Sequence, residues 1–191
     1  MLTTIIAIAS GYLFGSISFG YLLVRLIHKK DIRNVGNGAI GATNVVKNFG
    51  FPLGAVVGIL DGLKGLIVVY FWYEVSGKEW IAILAGAATV LGHVLPVYLR
   101  FKGGKGQATA IGGLFFFLTK EFLLFFAIWF LLSLLTRKVY LSGTIATTCL
   151  PVFAIFFNQS IMIISLAVLM ASLRWRAQIS TFITDKRLKK I

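Results

Sequence analysis

The sequence predicts an all-α integral membrane protein, and two observations carry that prediction. Of its 191 residues 58% are hydrophobic and only 13% are charged, about half the charged fraction of roughly 25% in an average globular chain. The apolar residues also fall into runs, at 3–27, 53–73, 80–99, 107–119, 121–135, 141–157 and 159–174, broken by charged or Gly/Pro segments. Spans of roughly 20 residues cross a bilayer as helices. The expectation is therefore seven transmembrane helices in one domain, 1–191, with no extramembrane module, and six spans as the alternative.

Each run has its own justification. The first, 3–27, has no basic segment ahead of it and is longer than the apolar core of a signal peptide, so it reads as a retained helix. The second, 53–73, contains Asp61 and Lys64 at i and i+3, which places them on one helix face. A charge at the centre of a span costs roughly 2.5–3.5 kcal/mol on the insertion scale, so both are expected to face the protein interior or the interface. The third run ends near His93 and Pro96. The fourth, 107–119, is too short to cross without tilt or borrowed loop residues, which is the ground for the six-span alternative. The fifth includes the aromatic stretch Phe122 to Phe130, of the kind lipid contact selects. The sixth holds Cys149, the only cysteine, so no intrachain disulfide forms. The seventh leads into a basic tail.

Basic residues set the orientation. Lys29, Lys30, Arg33 and Lys47 follow the first run, and Arg100, Lys102 and Lys105 follow the third. Arg137 and Lys138 follow the fifth, and Arg174, Arg176, Lys186, Arg187, Lys189 and Lys190 lie in the tail. The alternate connections hold only Lys78 and Lys120. The N-terminus is thus expected outside and the C-terminus in the cytoplasm. The net charge of +13 reads as cytoplasmic loop charge. It is scattered among short loops, which argues against nucleic acid as a partner.

Two loops on the expected cytoplasmic side are rich in glycine. One reads Asp31-Ile-Arg-Asn-Val-Gly-Asn-Gly-Ala-Ile-Gly-Ala-Thr-Asn44 and the other Arg100-Phe-Lys-Gly-Gly-Lys-Gly-Gln-Ala-Thr109. Glycines let consecutive N–H groups turn inward around an anion, a lysine adds a point charge, and a following helix adds its positive end. Gly103-Gly104-Lys105-Gly106 is thus a phosphate-loop candidate, although its short spacing and the glycine after Lys105 exclude a Walker A motif. The alternative is a flexible basic turn. Thr43 and Asn44 offer further anion donors. Asp61 and Lys64 read either as a neutralising ion pair or as a cation aimed at an anionic ligand. His93 reads either as a base accepting a hydroxyl proton near neutral pH or as a structural hydrogen-bonding residue. Metal-ligand clusters and Ser/His/Asp spacing are absent from the sequence, and no metal or cofactor is expected. A small transporter is the competing class, since Arg25, Asp61 and Lys64 offer polar groups within the spans. The clustering of the glycine loops at one face speaks against it.

Gly15-Ser-Ile-Ser-Phe-Gly20, the run from Asp31 to Asn44, Asp61 with Lys64-Gly65, and Gly92-His93 through Gly103-Gly-Lys-Gly-Gln-Ala-Thr109 together resemble the bacterial acyl-phosphate:glycerol-3-phosphate acyltransferases. The resemblance spans nearly the whole chain in order and spacing. It implies a seven-helix enzyme of the bacterial inner membrane with a cytoplasmic active site. Such an enzyme moves a fatty acyl group from acyl phosphate to the sn-1 hydroxyl of glycerol 3-phosphate, giving lysophosphatidic acid for phospholipid synthesis. By this resemblance, Gly103, Gly104, Lys105, Gly106, Thr43 and Asn44 would bind acyl phosphate. Arg33, Lys64, Asp61, Arg137 and Ser142 would bind glycerol 3-phosphate, and His93 and Lys105 would be catalytic. The sequence departs from the family pattern at Asn37, in place of serine, and at Ala39, in place of asparagine. It departs again at 139–144, and at Arg174-Trp-Arg-Ala-Gln-Ile179, which lacks the family's histidine, glutamate and asparagine. Beside the transporter, the alternative is therefore a divergent paralogue of the same fold with another acyl donor or acceptor, or without activity.

Overall fold

The computed structural model describes residues 1–137, 139–161, 163, 164, 166–168, 171, 172 and 175. The chain forms two compact units, 1–116 and 117–191, and no strand occurs among the described residues. Among the described residues, four segments are long and apolar enough to cross a bilayer: Leu2–His28, Phe51–Ser76, Glu79–Leu99 and Thr119–Thr136.

The first unit contains α1 (Leu2–Gly15), α2 (Phe19–His28), α3 (Ala42–Phe49), α4 (Phe51–Ser76), α5 (Glu79–Val94) and α6 (Gln107–Phe115). The first apolar run is broken where the sequence predicts one helix. The break follows Gly15, and the Ser18 hydroxyl accepts a hydrogen bond from the Tyr21 N–H at 3.2 Å to start α2. Hydropathy cannot show such a break, because Gly15, Ser16, Ile17 and Ser18 interrupt it too little. The helix α3 starts at the end of the first glycine loop and was not expected. The fourth run contributes only α6, whose nine residues span about 14 Å at 1.5 Å per residue, short of the roughly 30 Å hydrocarbon core.

Helix α4, with 26 residues, is about 39 Å long and is the central post of this unit. Val56, Ile59, Leu63, Ile67 and Tyr70 are exposed, whereas Gly54, Val57, Asp61, Lys64, Gly65, Val68 and Trp72 are buried. The surface is thus more apolar than the buried stripe, an inversion that only a lipid surrounding stabilises. Small residues allow close helix approach. A Cβ on Gly65 would strike the Thr109 carbonyl of α6, and one on Gly15 would strike the Thr89 carbonyl of α5. At the end of the unit that carries the two glycine loops, Val24, Ile32, Ile40, Val45, Val57 and Leu99 form an apolar cluster. That cluster ties the first loop to α2 and α4 and makes it a built element.

The second unit contains α7 (Thr119–Thr136) and α8 (Val139–Phe156), which pack together. The aromatic stretch divides: Phe122 and Phe125 are buried, while Phe126 and Phe130 are exposed. Glu121 is buried and accepts a hydrogen bond at 2.8 Å from Gln159 Nε2. Within the seventh run, residues 161, 163, 164, 166–168, 171 and 172 are helical, and Ile163, Ala167 and Ala171 are buried. Lys138 and the tail cations Arg174, Arg176, Lys186, Arg187, Lys189 and Lys190 lie outside the described residues.

Candidate active site

The break between α1 and α2 releases backbone carbonyls inside an apolar bundle, where each needs a donor. Lys64, 1% exposed, supplies it. Its Nζ donates to the Gly15 carbonyl at 2.9 Å and to the Ile17 carbonyl at 2.8 Å, and it lies 3.0 Å from His93 Nδ1. Asp61 Oδ1 sits 3.2 Å from Nζ as an ion pair and 3.5 Å from His93 Nδ1, yet accepts no directed hydrogen bond. An ammonium has three protons, and the two carbonyls and the imidazole already take them. The carboxylate therefore contributes charge alone. Asp61 does hold Lys64, as the helical spacing predicts. The resemblance assigns Lys64 to the phosphate of glycerol 3-phosphate; here its Nζ is surrounded by two carbonyls, an imidazole nitrogen and a carboxylate.

The second glycine loop folds back onto the end of α5. The Phe101 N–H donates to the Pro96 carbonyl at 2.9 Å and the Gly104 N–H to the His93 carbonyl at 3.0 Å. The Tyr12 hydroxyl satisfies the Leu95 carbonyl at 2.8 Å. Arg100 and Phe101 adopt left-handed backbone, with φ of 54° and 62°, and so reverse the chain tightly. Gly104 consequently lies against the imidazole edge, where a Cβ would collide with His93 Nε2. Gly106, at φ 71°, starts α6, whose first N–H groups and dipole favour an anion. Lys105 is exposed and makes no hydrogen bond or ion pair among the described residues.

The first loop is organised differently. Both Asn44 Nδ2 protons are engaged, by the Val35 and Ala39 carbonyls at 2.9 Å each. Its Oδ1 accepts from the Asn37 N–H at 3.3 Å and from Asn48 Nδ2 at 3.0 Å. Asn44 thus frames the loop, with both amide protons and its carbonyl oxygen engaged by the protein. Thr43 is exposed in the first turn of α3. Asn37, the departure from the family pattern, accepts the Ala39 N–H at 3.1 Å and so serves the turn itself.

Arg33 forms a forked pair with Asp31, with contacts of 2.6–3.2 Å, and lies 5.2 Å from the centroid of the Tyr21 ring. These hydrogen bonds hold the Asp31 carboxyl below its ordinary range. Arg33 borders a cavity of about 600 Å³ whose walls also include Tyr98, Arg100 and Lys102. The cavity brings the two loops together through Arg33, which the resemblance assigns to glycerol 3-phosphate, and through Tyr21, Tyr98, Arg100 and Lys102, which the sequence reading did not single out as ligands. Tyr21 and Tyr98 were missed, although interleaved cations and aromatics at a span end were a readable signal. In the second unit, Arg137 ends α7 with φ 55°. Ser142, 1% exposed, begins α8 with its Oγ 3.3 Å from the Thr136 hydroxyl.

A family model described as glycerol-3-phosphate acyltransferase matches residues 5–185. The glycerol-3-phosphate acyltransferase of Rhodopseudomonas palustris strain BisB5 is 40% identical over 171 residues, covering 90% of this chain and 87% of that protein. The crystal structure of PlsY (YgiH), an integral membrane glycerol 3-phosphate acyltransferase, in its glycerol 3-phosphate form, superposes with a TM-score of 0.82 at 35% identity. It covers 95% of this chain and 92% of its own. The lysophosphatidic acid form of that enzyme gives 0.80 at 33% identity, with the same coverage.

Proposed function

The chain belongs to the glycerol-3-phosphate acyltransferase family, and from that membership we propose that it transfers a fatty acyl group from acyl phosphate to the sn-1 hydroxyl of glycerol 3-phosphate. The products are lysophosphatidic acid and inorganic phosphate, and the role is in phospholipid synthesis. The observation that carries this reading is the joining of the two glycine loops, with Arg33, Arg100 and Lys102, around one cavity of about 600 Å³.

Acyl phosphate carries its own leaving group, so the protein has only to align two substrates and stabilise charge on the departing phosphate. The 103–106 loop, Lys105 and the start of α6 form the donor-phosphate site, with Thr43 an added donor. Arg33 takes the phosphate of the acceptor. The acceptor hydroxyl attacks the acyl carbonyl, a new C–O bond forms, and the bond from the acyl carbon to phosphate oxygen breaks. The hydroxyl proton passes to His93 or to the acceptor's own phosphate, and no covalent acyl-enzyme is needed.

The protein lies in the bacterial cytoplasmic membrane with seven helical passages, the fourth made by α6 together with flanking loop residues, and with its glycine loops and C-terminus facing the cytoplasm. The basic residues on the loop side, against Lys78 at the far end of α4, support that orientation. The direct test gives the purified chain labelled glycerol 3-phosphate with either acyl phosphate or acyl-CoA. Lysophosphatidic acid should form with acyl phosphate alone, and formation from acyl-CoA alone refutes the donor assignment. Single cysteines at 29 and 78 in a Cys149→Ser chain test the orientation. An impermeant reagent added outside should label only position 78, and labelling at 29 instead inverts the topology.

A further inference from the structure

Lys64 is among the most deeply buried side chains of the first unit, yet the acyl transfer just described gives it no substrate to touch. Its surroundings define a different task. An ammonium has no lone pair and can only donate. At 3.0 Å from Nδ1, it makes that imidazole nitrogen an acceptor, which leaves the single ring proton of a neutral imidazole on Nε2. The Asp61 carboxylate, 3.2 Å from Nζ, and the Gly15 and Ile17 carbonyls, at 2.9 and 2.8 Å, are the acceptors and counter-charge that an ammonium at 1% exposure requires around it.

The other edge of the ring is the one that meets the glycine loop. Nε2 has no hydrogen-bond partner among the described residues, and it abuts Gly104 so closely that no side chain fits there. We infer that His93 is a hydrogen-bond donor to an anion held in the 103–106 loop, through Nε2–H, and that Lys64 is the positioning residue that fixes this tautomer. The ligand class is a phosphoryl oxygen. Naming it as that of acyl phosphate rests on the reading above. A donor fixed before the anion arrives stabilises charge there without reorganising. His93 is then not the base that takes the hydroxyl proton, since its one bare nitrogen faces Lys64 and is already occupied. The same arrangement explains why a lysine sits at a helix break: one ammonium closes the backbone gap and sets the ring, so the break in the first apolar run and the loop on α5 are mechanically one device.

The test reads the ring directly. The full chain with nitrogen-15-labelled histidine and His28→Gln contains a single imidazole; His28 is exposed beside Phe49 and stands outside the site. One-bond proton coupling is expected at Nε2 and none at Nδ1, and coupling at Nδ1 overturns the inference. In Lys64→Met the nearest remaining polar partner of Nδ1 is Asp61 Oδ1, at 3.5 Å, so the proton should move to Nδ1. An unchanged tautomer in the folded variant removes Lys64 from the role.

A second pair of variants does not depend on Lys64→Met folding. Glutamine places an amide N–H near the position of Nε2, whereas alanine places nothing there. His93→Gln should keep turnover within about tenfold of the parent and His93→Ala should fall by about a hundredfold, the usual effect of losing a donor made in the transition state. Equal loss in the two folded variants overturns the donor role. The ring measurement needs no substrate, so its failure refutes this inference alone. Absence of turnover in the unmodified chain refutes the acyl-transfer reading instead.

Discussion

The two glycine loops have similar composition and opposite construction. In the 35–44 loop one side chain, Asn44, makes its hydrogen bonds to groups of the loop itself and to Asn48 one turn further along α3. The 103–106 loop is held only from outside, by carbonyls at the end of α5 and by the edge of His93, and its lysine stays uncommitted. The contrast teaches that glycine and polar residues in a motif do not by themselves make a ligand site. What separates a frame from a site is whether the polar atoms already have protein partners.

The largest effect that would break this comparison comes from Gly104→Ala. Its Cβ must displace His93 Nε2 or the loop, and a misplacement of about 1 Å in such a site lowers turnover by about a hundredfold. Steady-state assay with acyl phosphate checks it, and a near-normal rate would show that the loop has room to yield. Next comes Lys105→Ala, which should lower turnover by at least about tenfold while leaving thermal stability unchanged, because the side chain is exposed and supports no fold contact. Normal turnover in this variant would remove the loop from the chemistry.

Asn44→Ala should act in the opposite sense. It loses about 2 kcal/mol of stability through the unpaired carbonyls and amides it leaves behind, seen as a lowered unfolding midpoint. The protein that remains folded should bind acyl phosphate with nearly the parental KM. A large KM change without destabilisation would restore Asn44 to the ligand set. The smallest effect is on pH. The Asp31 carboxyl is held below its ordinary value of 3.8 by Arg33, so the contribution of this pair is complete above that value and is lost as pH falls through the folded value. Proteolytic protection of the 31–38 segment should therefore be flat from neutrality to about pH 5 and fall only in stronger acid. Asp31→Asn should abolish that acid step.

These contrasts also locate what was legible beforehand. The membrane class, a helix around Asp61 and Lys64, the burial of that pair and the placing of the two loops at one face all followed from hydropathy, helical spacing and charge asymmetry. The break after Gly15 did not, because its cause is a side chain 47–49 residues away, and no local pattern encodes that contact. The framing role of Asn44 was hidden for the opposite reason. Its partners are backbone groups of its own loop and the amide of Asn48, which sequence does not distinguish from groups waiting for a ligand. His93 was visible as a candidate, but its tautomer depends on which atom of a remote lysine it meets.

The helix break has a consequence for how the chain is made. When the first apolar segment enters the bilayer, the carbonyls of Gly15 and Ile17 have no partner of their own, and lipid offers none. The break is completed only when α4 delivers the lysine. During synthesis, therefore, the first helix pair cannot settle into its final bend before the 64th residue is in place. The beginning of the chain is a folding intermediate that the middle of the chain must close.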